Sequence, residues 1–225
     1  EWLITKSDGT CSPIAIALGV GGNLDLSYNF VPMTSTLQTT TGSFPLGQWT
    51  HIAGTVDAQA QVARTFVNGN LFEEKVTLAN GSPIPQAPLC ENNAALQFGG
   101  IVSFPNNFLD GKMDEIRLWN VAKTPAEIAE SYNHTVAPDT SGLIGYWQFN
   151  ESSGNQQVLD ASPNGNHGVL GTNGSLGSDD PARVVSSVPL IPEDDCNGNG
   201  VSDACDLVGN YWLRRGVSGP GDRQA

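Results

Sequence analysis

A chain of 225 residues can bury a core without staples, so its length alone forces neither a disulfide-built miniprotein nor a single architecture. Its formal charge of −13, from 23 acidic and 10 basic residues, repels phosphate backbones and argues against nucleic acid as a partner, whereas carboxylates in turns suit a hard cation such as Ca2+. Only 15% of residues are charged, 26 are glycine and 14 proline, and no apolar run reaches the roughly 18 residues of a membrane span, which indicates an all-β secreted module.

The chain opens on "EWLITKSDG", which reads like the middle of a strand, and no signal peptide is visible; a cut N-terminus is expected. Short β-type runs follow at Trp2–Thr5, Ile14–Leu18, Leu24–Phe30, His51–Val56, Val62–Val67, Leu71–Leu78, Ala95–Phe98 and Met113–Trp119, a spacing that predicts a sandwich or barrel. Asn68-Gly69 supplies the positive φ angles of a type I′ turn, so "ARTFV" and "LFEEKV" are expected to form a half-buried hairpin. One helix is predicted in "KTPAEIAESYN": Thr124 caps it, Pro125 suits its first position, Glu127 completes a capping box, and Ile128 and Tyr132 share a face. Residues 135–142 read as a linker. "GLIGYWQFN" (142–150) resumes strand character with "HGVLG" (167–171) as its expected partner, and a boundary falls near 190, where the chain turns acidic.

The ordered combination "LGQWTHIAGTVD", "RTFVNGNLFEEKV", "LQFGG" and "FLDGKMDEIRLWNVAKTPAEIAESYN" resembles the LamG-like jelly-roll family of the concanavalin A-like lectin/glucanase superfamily, over about residues 1–133. The resemblance implies an antiparallel β-sandwich with one short helix. It also implies a secreted, non-catalytic module of a larger bacterial extracellular protein, with glycan or another cell-surface or matrix ligand as partner, beside the other domains of the parent chain. The strand pair with which the family opens is missing here. Residues 134–190 contain a second family element, "GYWQFNESSG…DASPNGNHG", expected as an appended hairpin that completes the first sheet or docks on it through Trp147 and Phe149; residues 191–225 form a tail.

Because glucanases share this fold, catalysis has to be weighed. A retaining glucanase needs carboxylates at alternate positions of one strand, so that both enter one cleft. "MDEIRLW" places Asp114 next to Glu115, on opposite faces of a strand, with Arg117 and Trp119 following on the face of Glu115. Neither G-x-S-x-G nor H-E-x-x-H is present, and the expectation is no enzyme. His51 is expected to be a packed histidine with a satisfied ring nitrogen. Trp2, Trp49, Trp119 and Trp147 are expected mostly in the core, with a sugar-stacking platform as the alternative. A cation at Asp110 and Asp114, which like Asp57 lie near strand ends, competes with a plain Asp-Gly turn and with Asp114 pairing to Arg117. Cys11 and Cys90, the only cysteines of the sandwich, are expected to be bonded, with free buried thiols as the alternative.

The acidic stretch "DDCNGNGVSDACDL" fits the register of a calcium loop. Asp195, Asn197, Asn199, the carbonyl of Val201, Asp203 and Asp206 fall at ligand positions 1, 3, 5, 7, 9 and 12, with Gly200 at the sharp turn. It resembles a dockerin or thrombospondin type 3 loop. Zinc is a poor rival, because Cys196 and Cys205 lack two further ligands; a local Cys196–Cys205 disulfide suits the loop better. No second loop follows, so a calcium-stiffened spacer is preferred to cohesin docking. Two further functional readings stand beside glycan binding: a structural or adhesive spacer, and an accessory domain of a glycoside hydrolase.

Overall fold

The computed structural model describes residues 2–18, 23–30, 36–43, 45, 47–101, 108–171, 174–178 and 180–191, with backbone only for 2, 18, 23, 24 and 36–43. In chain order the elements are β1 (Trp2–Lys6), β2 (Ile14–Leu18), β3 (Asn23–Asn29), β4 (Thr36–Ser43), β5 (Ile52–Asp57), β6 (Val62–Val67), β7 (Asn70–Lys75), β8 (Leu96–Phe98), β9 (Ile116–Trp119), α1 (Pro125–Ser131), β10 (Leu143–Trp147), β11 (Gln157–Val158) and β12 (Gly168–Val169). One sheet runs β4-β3-β2-β1-β8; three strands, β5-β6-β7, form a second, and β10-β9 and β11-β12 pair separately. Among the described residues every strand pairing is antiparallel, as expected of the sandwich. Strand β4, threonine-rich and without a regular apolar alternation, was not among the predicted runs.

Period-two burial explains how the layers meet. In β3, Leu26 and Tyr28 point inward and Phe30 continues the row, while Asp25, Ser27 and Asn29 take the other face. Strand register aligns Phe98, Ile4, Ile16 and Leu26 across β8, β1, β2 and β3. Leu26 and Ile16 pack with Ala63, Ile52 and Val56 of the three-stranded sheet, together with Ile84 and Leu89. Ile4 and Phe98, on the same row, pack instead with Ile116, Leu118, Trp147, Val158 and Leu170. One face of the large sheet thus serves two adjoining cores.

Two local expectations need correction. Strand β6 is not half-buried: Ala63, Thr65 and Phe66 are all fully buried, so both of its faces are covered. "HGVLG" does not pair with β10; its Gly168–Val169 pairs with β11, and β10 pairs with β9 through Tyr146↔Arg117 and Trp147↔Ile116. Apolar runs identify strands but leave their neighbours open, since period two says nothing of the partner. The hairpin turn forms as expected, with Asn68 at φ 47° and Gly69 at φ 75°. At Gly69 a Cβ would lie 2.5 Å from the Tyr132 ring, so glycine meets a steric as well as a conformational demand.

Helix α1 carries the expected capping box: Thr124 accepts from the Glu127 amide, and Glu127 accepts from the Thr124 amide. Ile128 is buried, and the Tyr132 ring lies edge-on to His51 with centroids 5.6 Å apart. Cys11 and Cys90, both buried, form a disulfide across 79 positions. Around it the Asn92 amide donates to the Cys11 carbonyl at 2.7 Å, and Lys6 donates to the Ala94 carbonyl, so the segment before β8 is held to the β1–β2 turn.

The end of the described chain works as a strap. Arg183 pairs with Glu151 at 2.6 Å, both nearly buried, and also donates to the carbonyls of Asn155 and Gln157. The Trp49 indole N–H donates to Ser187 Oγ at 3.0 Å. Ile191 then forms a parallel bridge beside His134, donating to the Asn133 carbonyl and accepting from the Thr135 amide.

Candidate functional site

The chemistry-bearing residues of the sandwich gather where β9 begins. Strand character starts at Ile116 and not at Met113, because Glu115 adopts φ 53° and breaks the extended backbone. The expected strict alternation of Asp114 and Glu115 therefore fails. Arg117 pairs with Glu115, at 2.8 Å, and not with Asp114, whose Oδ1 accepts the Glu115 amide. The Tyr146 hydroxyl donates to the same Glu115 oxygen at 2.5 Å, and Gln148 donates to that hydroxyl at 3.1 Å. Arg117 also donates to the His134 carbonyl at 2.6 Å and the Ser131 carbonyl at 3.4 Å, and its guanidinium lies over the Tyr146 ring. Burial, reinforced by the Glu115 hydrogen bond, pushes the Tyr146 hydroxyl up to about 12.

His51 borders this cluster. The Asn68 carboxamide accepts its backbone N–H and the Asn68 amide donates to its carbonyl, both at 2.9 Å. Its ring nitrogen Nδ1 is buried and, like Arg117 Nε, has no hydrogen-bond partner among the described residues. The expectation of a satisfied ring nitrogen is thus overturned for Nδ1. Burial, followed by the Arg117 charge, pushes the imidazole down to about 4.

A second polar centre, absent from the sequence reading, lies under β10. Asp160 is 4% exposed; its carboxylate accepts the amides of Tyr146, Ser162 and Asn166 at 2.8 Å each and the Ser162 hydroxyl at 2.9 Å. Burial raises its pKa, but these donors outweigh it and hold the carboxyl below the ordinary range. Its own amide donates to His167 Nδ1 at 3.0 Å, and the Trp147 indole donates to the Asn166 carbonyl at 3.1 Å. The signal for this centre was the "DASPNGNH" spacing, whose short polar side chains readily close turns on their own backbone.

The tryptophans divide. Trp147 is buried with its ring edge-on to Phe98, whereas Trp49 and Trp119 are only half-buried, so the core assignment holds for the first alone; the side chain of Trp2 lies outside the described residues. Lys123 covers the Trp119 ring at 4.2 Å. Phe149 leaves the strand alternation at φ 53°, yet its ring also meets Phe98. Asp57 accepts the Gln59 and Ala60 amides in its turn, and Asp110 is exposed in a bend. Among the described residues no group of three or more His, Cys, Asp or Glu is placed to hold a metal ion. The loop of Asp195, Asn197, Asn199, Val201, Asp203 and Asp206, with Cys196 and Cys205, lies outside the described residues. No helix among the described residues is long and apolar enough to cross a membrane.

Comparison with known proteins places this geometry. No curated protein matches the sequence. The fold is similar to that of a "putative carbohydrate binding protein" from Bacteroides ovatus ATCC 8483, with a TM-score of 0.54 and 20% identity over 71% of this chain. The chain spans 44% of the length of that structure. An S-layer domain-containing protein from Clostridium thermocellum ATCC 27405 is more distant, with a TM-score of 0.26, 19% identity, and 56% of this chain and 58% of that one covered. The sequence profile of the Laminin_G_3 family matches residues 3–129, from β1 through most of α1. The chain belongs to the Concanavalin A-like lectin/glucanases superfamily.

Proposed function

We propose that this chain is a non-catalytic, extracellular carbohydrate-binding module. Its superfamily takes its name from both lectins and glucanases, and the state of Glu115 carries the choice between them. A retaining glucanase needs two carboxyl groups about 5–5.5 Å apart, one free to attack and one free to exchange a proton. Glu115 is instead held by the Arg117 guanidinium and the Tyr146 hydroxyl at one oxygen, and Asp114 is turned to a backbone amide. Such a pair positions β9 against β10 and leaves no acid–nucleophile couple there. The name of the Bacteroides ovatus structure supports a glycan as ligand, and the Cys11–Cys90 disulfide supports an oxidising, extracellular compartment.

Half-buried Trp49 is the tryptophan from which a sugar-facing ring is best sought, because a sugar stacks on an accessible ring face and Lys123 already covers the Trp119 ring. On a glycan array the intact chain is expected to bind a subset of glycans. Trp49→Ala should weaken that binding at least about tenfold, the loss of one stacked ring. Folded protein that binds no glycan would favour the spacer reading, and release of reducing ends from a β-glucan would refute the non-catalytic one.

The tail belongs to the same reading. Asp195, Asn197, Asn199, the Val201 carbonyl, Asp203 and Asp206 supply the oxygen donors for one Ca2+ in a segment closed by Cys196 and Cys205. Isothermal titration should register calcium uptake that Asp195→Ala or Asp206→Ala abolishes, with the unfolding midpoint of the sandwich little changed. Unaltered stoichiometry in both variants would remove the assignment.

A further inference from the structure

We propose that Ser187 is a positioning residue for the carbohydrate site, so that the 183–191 strap, beyond the family-matched residues 3–129, forms part of the binding face; this rests on Trp49 being the sugar-facing ring. An indole has one polar handle, its Nε1–H, on the part of the side chain away from the backbone. In Trp49 that N–H donates to Ser187 Oγ at 3.0 Å. The backbone beside it is fixed as well. His51, two residues on, is held by Asn68 through both its N–H and its carbonyl, at 2.9 Å each. A ring tied at both ends keeps one orientation, and its exposed part is presented in a fixed direction.

One hydrogen bond at an exposed site contributes little alone, because water competes for both partners. Here the acceptor is brought into place by other contacts. Arg183 pairs with Glu151 at 2.6 Å, both nearly buried, and donates to the carbonyls of Asn155 and Gln157. Beyond Ser187, Ile191 donates to the Asn133 carbonyl at 2.6 Å and accepts from the Thr135 amide at 2.9 Å. Between these anchors Val184, Val185 and Ser186 are exposed, so apolar burial does not fasten the middle of the strap. Among the described residues, the bond from Trp49 to Ser187 is the hydrogen bond that joins 184–190 to the sandwich. The two anchors thus offset the ordering of the strap, and the strap orders the indole before a ligand arrives. Without the Ser187 hydroxyl a sugar must order the ring itself, which weakens binding about two- to tenfold.

Two measurements on the intact chain test this, one without ligand. In proton–nitrogen correlation spectra the Trp49 indole signal, assigned by its absence in Trp49→Ala, should move in Ser187→Ala and return in Ser187→Thr, which restores the hydroxyl. Ser186→Ala, which removes a hydroxyl that accepts the Val188 amide instead, should leave the signal in place. The second measurement is affinity for the array glycan that the native chain binds most tightly. Ser187→Ala should weaken it about two- to tenfold, and Ser187→Thr should recover it. Binding that is lost in Trp49→Ala but native in Ser187→Ala, or an indole signal that Ser187→Ala leaves unmoved, would overturn the role of the strap alone. Binding that survives Trp49→Ala, or no glycan binding by the folded native chain, would remove the Trp49 reading and this role together.

Discussion

Replacing Asp160 by alanine is expected to destabilise the fold by about 3–5 kcal/mol, read as a shift in urea unfolding midpoint at constant slope. The residue is not a surface turn former, for its carboxylate accepts three backbone amides and a hydroxyl from a site that is 4% exposed. Alanine would leave those donors buried without an acceptor, which costs more than the hydrogen bonds contributed on balance. Asp160→Asn should recover little, because half of its carboxamide is a donor facing donors. The pH dependence has a fixed sign. Since the folded carboxyl is held below its unfolded value, this contribution is complete above the unfolded pKa of about 4 and fades as pH falls through the lower folded value.

Removing the Cys11–Cys90 bond by a double serine substitution should lower stability by about 2–4 kcal/mol, since the bond closes a loop across 79 positions in the unfolded chain. The denaturant slope should rise, because the released unfolded chain exposes more surface. An unchanged midpoint would mean that the polar clamp around the bridge, Asn92 to Cys11 and Lys6 to Ala94, holds that segment unaided.

What could be read from the sequence was whatever is written locally. Thr124-Pro125 with Glu127 fixes the start of α1, Asn68-Gly69 fixes the β6–β7 turn, and both are found as expected. The cysteine pair was legible because the sandwich offers only two candidates. Features that depend on a partner in space were not legible. Nothing in "LIGYW" says that β10 lies beside β9, and nothing in "MDEIRLW" announces the left-handed Glu115 that turns its carboxylate to Arg117 and Tyr146. His51 shows the same limit: nothing in its local sequence announces that its ring meets Tyr132, 81 positions away, or that its Nδ1 has no hydrogen-bond partner among the described residues. Asp160 was missed for a related reason, since an aspartate in a Gly/Asn-rich stretch reads as a turn until its donors are placed.

The row that runs Phe98, Ile4, Ile16 and Leu26 across one sheet has a consequence for the order of events in time. Ile4 packs in a cluster with Trp147, Val158 and Leu170, so the beginning of the chain finds part of its core some 150 residues later. The β1–β8 pairing and this cluster close slowly, because loop entropy is lost before the contacts that offset it are made. Strand β1 can acquire its full set of neighbours only after β12 has left the ribosome. The core around Leu26, Phe30 and Ile84 draws on no residue beyond Leu89, so the two cores of this sheet can close one after the other.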